Sequence, residues 1–139
     1  MTRNIWVNVA YTLIVSVILN VAIFFIGQAF GVSFRADTPA GPIVTLGAVI
    51  FASLFGASVG CIGYWVLGLI FGDRQRIWFI WLATIVGIAS MIGPWSGAGD
   101  LPTMGFLGLM HVASVLVMSW YLGVWTPKYV TPPNFAPNN

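Results

Sequence analysis

The chain has 139 residues, of which 59% are hydrophobic and only 6% are charged, and its formal net charge is +2. Soluble domains carry about a quarter charged residues, and a domain this small has too little interior to bury so much apolar surface. The composition therefore excludes an ordinary soluble domain and predicts an all-α integral membrane protein. Its five basic residues form no patch that would favour nucleic acid. The single cysteine, Cys61, excludes an internal disulfide and a cysteine-based zinc site.

Four apolar segments have the length of spanning helices, for which about 20 residues cross the hydrocarbon core of a bilayer. They lie at about 6–30, 42–71, 77–93 and 103–125. Short connections make sequential helices antiparallel neighbours, so we expect an up-down bundle of four transmembrane helices over residues 1–125. Gly31 and Gly72 suit the ends of the first two spans. Pro42 suits the first turn of the second span, and Pro94 should end the third.

The first span carries a stripe of polar residues at every fourth position. These residues are Asn8, Thr12, Ser16 and Asn20. Residues four apart share one face of a helix, and unsatisfied polar groups are costly in hydrocarbon. The polar stripe should therefore turn toward other helices or toward water. It either lines a path for a solute or makes hydrogen bonds between helices.

The second span carries a row of small residues at the same spacing. The row consists of Ala48, Ala52, Gly56 and Gly60. Small side chains let the backbones of membrane helices approach closely. The small-residue row therefore predicts close helix packing, either inside this chain's own bundle or at an interface with a second copy or a partner. Cys61 lies beside the row and is expected to be an inert small residue.

His111 is the only histidine, and it falls within the fourth span. A neutral imidazole at membrane depth could ligate the metal of a haem or a (bacterio)chlorophyll, shuttle a proton, or hold a quinone carbonyl. The alternative is a histidine that is hydrogen-bonded to a neighbouring helix. No acidic residue falls within a span, and His111 has no evident partner for nucleophilic catalysis, so we expect no enzyme and no closed metal site.

Orientation follows from the distribution of basic residues. With four spans, Arg3, Arg74, Arg76 and Lys128 fall on one side and only Arg35 on the other. The positive-inside rule then predicts a multi-pass protein of the inner or plasma membrane with both termini in the cytoplasm.

The layout of the chain resembles a family of small, uncharacterised four-span bacterial membrane proteins of actinobacterial type. The features that carry the resemblance are Gly93-Pro94 after the third span, Met110-His111 in the fourth, and the basic turn at 73–76. The resemblance covers about residues 5–125. It implies a four-helix fold and no particular chemistry.

Three functions remain open from the sequence. We expect first a non-catalytic accessory subunit of a larger membrane complex, held in part by the Pro-rich, extended cytoplasmic tail at 126–139. Tyr129, Val130 and Phe135 would anchor this tail on a partner subunit. A small channel or solute transporter that works as a homo-oligomer is the alternative. A subunit that binds a pigment, a haem or a quinone through His111 is the third.

Overall fold

The computed structural model describes residues 5–36 and 41–124. Its helices are α1 (Ile5–Ala29), α2 (Leu46–Phe71), α3 (Gln75–Ser90), α4 (Ile92–Gly97) and α5 (Leu101–Met118), and a π-helical segment, Ser119–Val124, continues α5. These residues contain no strand beyond two isolated bridges, Arg35–Ile43 and Ala36–Ala98. The all-helical class predicted from the sequence is confirmed for this part of the chain.

Three helical stretches are long and apolar enough to cross a membrane, judged by length and composition. They are Ile5–Ala29, Leu46–Gly97 and Leu101–Val124. The middle stretch has 52 residues, and the chain reverses within it. The rings of Tyr64 and Phe79 lie 5.1 Å apart, whereas a straight helix would separate residues fifteen apart by about 22 Å. Helices α2 and α3 therefore lie side by side and run in opposite directions.

Two glycines end helices in the left-handed conformation that favours glycine, as the sequence predicts. At the end of α1, Gly31 has a φ of 76°, and the N–H of Val32 donates to the Gly27 carbonyl at 3.0 Å. At the end of α2, Gly72 has a φ of 49° and opens the short 3₁₀ turn Gly72–Arg74. This turn reverses the chain and starts α3.

Three helix boundaries differ from the sequence prediction. Helix α2 begins at Leu46 and not at Pro42, because the Thr45 side chain caps it by accepting from the Ala48 N–H at 3.2 Å. Pro42 instead belongs to the preceding loop, where its carbonyl accepts from the Ala36 N–H at 2.8 Å.

The third span is also divided differently. Helix α3 ends at Ser90, and Pro94 lies buried inside the short helix α4 and does not end a helix. A proline is tolerated there because the N–H groups of a first turn have no partner within the helix. Helix α5 starts at Leu101, slightly earlier than predicted, because Asp100 caps it.

Helix α1 packs against α2 and α5 through its polar face. Its buried residues are Asn8, Thr12, Ser16, Asn20, Phe24 and Gly27. The opposite face is apolar and open to the surroundings, with Trp6 73% exposed and Ile18 60% exposed. This arrangement reverses that of a helix in a soluble protein, where the apolar stripe faces the core.

Two separate clusters of buried apolar side chains hold the helices together. One contains Phe24, Phe34, Val49 and Met110, and the other contains Tyr64, Leu67, Phe79 and Leu122. The loop after α1 reaches the first cluster through Phe34, whose ring lies 4.7 Å from that of Phe24. Phe34 has a φ of 49°, which strains a residue other than glycine, and burial of its ring stabilises the loop in this conformation.

Arg76, in the first turn of α3, holds the end of the π-helical segment. Its Nε donates to the Gly123 carbonyl at 2.6 Å, and its guanidinium also donates to the Val124 carbonyl. Carbonyls at a helix C-terminus carry partial negative charge and lack partners inside the helix. The cation of Arg76 therefore ties the π-helical segment to α3.

We predict that Arg76→Ala destabilises the fold by about 1 to 3 kcal/mol, because hydrogen bonds made by a charged group contribute this much. Arg74→Ala is the matched control, since Arg74 is exposed, lies two residues away and carries the same charge. Unfolding of both purified variants in detergent measures the difference. Equal stability of the two variants would contradict a stabilising role for the Arg76 hydrogen bonds.

Candidate functional site

A cavity of about 570 Å³ lies between α2, α3 and α5, where the two apolar clusters leave a gap. Phe79 and Met110, one from each cluster, line it at two points. Most of its wall is apolar, and its polar side chains are Asn20, Ser53, Ser90, His111 and Ser114. Apolar cavities of this size with a few converging polar groups are the usual form of small-molecule sites.

The Asn20 amide joins three helices at this cavity. Its Nδ2 donates to Ser53 Oγ on α2 and to Ser114 Oγ on α5, both at 2.9 Å. Asn20 is 4% exposed. One buried side chain thus fixes the spacing of α1, α2 and α5.

The two serines determine which way the amide points. Ser53 Oγ donates to the Val49 carbonyl at 2.7 Å, and Ser114 Oγ donates to the Met110 carbonyl at 2.9 Å. With their hydrogens used in this way, both hydroxyls accept from Asn20, so its NH₂ group faces them. The Asn20 Oδ1 atom is buried and has no hydrogen-bond partner among the described residues.

His111 presents a single nitrogen without a partner. Its Nδ1 lies 2.8 Å from the Leu107 carbonyl, which accepts only, so Nδ1 carries the hydrogen. In the neutral ring Nε2 then holds a lone pair, and it has no partner within residues 5–36 and 41–124. His111 and Ser114 are three residues apart and share a face of α5, so they line the same wall of the cavity.

Three members of the small-residue row line this cavity, namely Ala52, Gly56 and Gly60. A Cβ atom added at Gly60 would collide with the Met118 side chain, whereas one added at Gly56 would meet nothing within 4 Å. Ala48, the first member of the row, is exposed and lies outside the cavity wall. The row thus contacts α5 closely at Gly60 and leaves open space at Gly56.

The polar stripe of α1 is buried along its whole length, but only Asn20 lines the cavity. Thr12 Oγ1 donates to the Asn8 carbonyl of its own helix at 2.8 Å. Ser16 Oγ is buried and has no hydrogen-bond partner among the described residues. The stripe therefore lies buried between helices.

Sequence reasoning does not single out Ser53, Ser114 or Gly63, which also belong to the site. The signal for the two serines is faint, because each is an isolated polar residue in an apolar helix. The expected tail anchors Tyr129, Val130 and Phe135 lie outside the described residues. Cys61 is half-buried and outside the cavity wall, and the described residues contain no group of three or more metal-ligating side chains.

Away from the cavity, Asp100 joins the two loops at one end of the bundle. It accepts from Ser33 Oγ at 2.5 Å and from the Thr103 N–H at 2.7 Å. These hydrogen bonds favour the carboxylate and lower the pKa of Asp100 below its ordinary value, and the bond from Ser33 has the largest effect. The lowered pKa means that this link is present at neutral pH and is lost only as the pH falls through that value.

Comparison with known proteins adds one finding. The model of a family of unknown function, DUF6069, matches residues 1–124. The chain belongs to DUF6069. This confirms the resemblance to an uncharacterised family, and DUF6069 supplies no activity to carry over. No curated protein and no solved structure matches the chain.

We predict that the Asn20 and Ser114 side chains of this DUF6069 chain are energetically coupled. A double-mutant cycle with Asn20→Ala and Ser114→Ala should give a coupling of about 0.6 kcal/mol, the average for hydrogen bonds between membrane helices. The control cycle pairs Asn20→Ala with Ser90→Ala, because Ser90 lines the same cavity but donates to the Gly87 carbonyl. A control coupling as large as that of Ser114 would contradict the assigned hydrogen bond.

Proposed function

We propose that this chain is a four-span membrane protein that binds an uncharged, lipid-soluble molecule in its cavity, with His111 as the polar anchor. The observation that carries the proposal is that His111 lines an apolar cavity of about 570 Å³ and that its Nε2 has no partner among the described residues. Such cavities hold small molecules by apolar contact and use their few polar groups to orient them.

Four crossings are supported by the reversal at Gly72. Helix α2 has 26 residues and is about 39 Å long at 1.5 Å per residue, which is enough to cross the roughly 30 Å hydrocarbon core alone. The returning stretch α3–α4 starts beside the end of α2 and runs back along it. Both ends of an up-down bundle then lie on one side, which the bias of Arg74 and Arg76 assigns to the cytoplasm.

The mouth of the cavity supports entry from lipid. Exposed apolar side chains of α2 and α3 line it, namely Phe55, Val59, Leu82 and Val86. In a membrane these side chains would face acyl chains and not water. A lipid-soluble molecule would therefore reach His111 sideways from the bilayer, without passing through a polar path.

A haem or (bacterio)chlorophyll is a second candidate ligand. Metal-ligating histidines usually donate their other ring N–H to a carbonyl or a carboxylate, as Nδ1 of His111 does to Leu107. His111 would then hold the metal of such a group through Nε2. This is the pigment or haem alternative that the sequence leaves open.

The other functions expected from the sequence receive less support. The accessory-subunit hypothesis stays a prediction, because its expected tail anchors lie outside the described residues. A solute path along the polar stripe is not favoured, because Asn8, Thr12 and Ser16 lie away from the cavity wall. A binding role fits better than catalysis, since Asp73 and Asp100, the carboxylates within the described residues, are also away from it.

The predicted topology can be tested with two variants that each carry one cysteine in a Cys61→Ala background. Ser96→Cys should react with an impermeant thiol reagent in intact cells, because the residue is exposed at the end of the bundle opposite the basic turn. Asp73→Cys should react only after the membrane is opened. Labelling of both residues in intact cells would contradict the proposed orientation.

We predict that Gly63→Leu closes the cavity without disturbing the fold. A Cβ atom at Gly63 meets nothing within 4 Å, so the leucine would occupy the space of a ligand. The purified protein should be labelled saturably on α2, α3 and α5 by a long-chain alkyl diazirine, and Gly63→Leu should abolish saturation. Gly105→Leu is the matched control, because it adds the same side chain in open space outside the cavity. Non-saturable labelling of the wild-type protein would refute the binding role.

A further inference from the structure

The hydrogen-bond donors that line the cavity are all used inside the protein. Ser53, Ser90 and Ser114 each donate to a main-chain carbonyl of their own helix. The two amide hydrogens of Asn20 go to two of these serines, and the ring N–H of His111 goes to Leu107. A ligand in this cavity therefore finds no free donor on these side chains.

The polar atoms that remain are hydrogen-bond acceptors. Nε2 of His111 and Oδ1 of Asn20 are lone-pair atoms without partners among the described residues. Oδ1 is fully buried, so Nε2 is the one of the two that is left for a ligand. The two side chains belong to the same region of the structure. His111 lies on α5, and Asn20 donates to Ser114, which follows His111 by three residues on that helix. The polar atom that these side chains leave for a ligand is thus a hydrogen-bond acceptor on α5.

We propose that the ligand is an uncharged lipid-soluble hydroxyl compound, an alcohol, phenol or quinol, whose O–H donates to His111 Nε2. This inference rests on the proposed function and specifies its ligand. In hydrocarbon a hydroxyl group has no partner, so an acceptor in an apolar cavity favours it strongly over an ether or a ketone of the same shape.

The same reasoning separates the reduced and oxidised forms of a quinone. A quinone carbonyl only accepts hydrogen bonds, and in the neutral ring the one N–H of His111 is already held by Leu107. A quinol has O–H groups, which can donate to Nε2 of His111. The protein should therefore bind a quinol in preference to the quinone, whose carbonyl the sequence leaves open as a partner of His111.

The shape of the cavity fits such a ligand. Its unpaired acceptor, Nε2 of His111, belongs to α5, and α2 leaves open space beside Gly56 and Gly63. The hydroxyl end would lie against His111. The apolar body would extend past these glycines to the mouth between α2 and α3.

Competition against the alkyl diazirine tests the ligand class with matched probes. The competitors are decylhydroquinone, its dimethyl ether, decylbenzoquinone and decanol, added to the purified full-length protein. We expect decylhydroquinone to compete about tenfold better than its ether or the quinone, which corresponds to one hydrogen bond. Competition by decanol would assign the site to hydroxyl compounds in general, and its failure would restrict the ligand to phenols and quinols.

The variant His111→Phe keeps an aromatic ring and removes the acceptor. Its diazirine labelling should show no preference for the hydroquinone, so that the competition ratio falls to about one. Equal competition by quinone and hydroquinone in the wild-type protein would overturn the inference and leave the binding role standing. Absence of saturable labelling would refute the binding role itself, and a purified protein that carries a tetrapyrrole would refute the hydroxyl ligand.

Nitrogen NMR gives a second readout that does not depend on labelling. His111 is the only histidine, so ¹⁵N-histidine labelling yields one imidazole. Nε2 should be the unprotonated nitrogen, and its shift should move when decylhydroquinone is added but not when decylbenzoquinone is added. A hydrogen on Nε2 in the ligand-free protein would overturn the assignment of His111 as an acceptor.

Discussion

The amide of Asn20 is the interaction on which the arrangement of the helices depends. It lies on α1, and its NH₂ group reaches a serine on α2 and a serine on α5. Each serine hydroxyl donates to a carbonyl of its own helix, so each hydroxyl can only accept from Asn20. Because the spacing of three helices is set by this group, the small residues of α2 cannot simply collapse onto α5. The cavity is what remains between helices that a polar contact holds at a set distance.

The same feature explains why α1 is polar inside and apolar outside. In water such a helix would expose its apolar face at high cost, and the buried polar groups would gain little. In hydrocarbon the apolar face costs nothing, and the polar groups have partners only inside the bundle. The buried polar face therefore supports the proposed membrane setting independently of segment length. It also indicates that hydrogen bonds and close packing, rather than the hydrophobic effect, hold these helices together.

The sequence predicts those features that depend on local spacing. The buried face of α1 follows from polar residues at every fourth position, and the helix ends at Gly31 and Gly72 follow from the backbone freedom of glycine. The predicted start of α2 at Pro42 is wrong, because proline fits a loop as well as the first turn of a helix. The Thr45 cap places the start at Leu46. The cavity was not predictable, because a row of small residues indicates close packing or empty space equally well. Only the distance between helices, which Asn20 sets from another part of the chain, distinguishes the two.

The polarity of the cavity follows from a property of helices that no motif encodes. A serine or a histidine in an apolar helix donates to the carbonyl four residues earlier or close to it, because no other acceptor is near. Ser53, Ser114 and His111 all do so, and the O–H or N–H hydrogen of each is then not available to a ligand. Polar residues that line a cavity between apolar helices should accordingly tend to offer acceptors and not donors. The proposed selectivity for a hydroxyl ligand then needs no dedicated recognition motif, because the helices use the donors and leave one imidazole nitrogen as a free acceptor among the described residues.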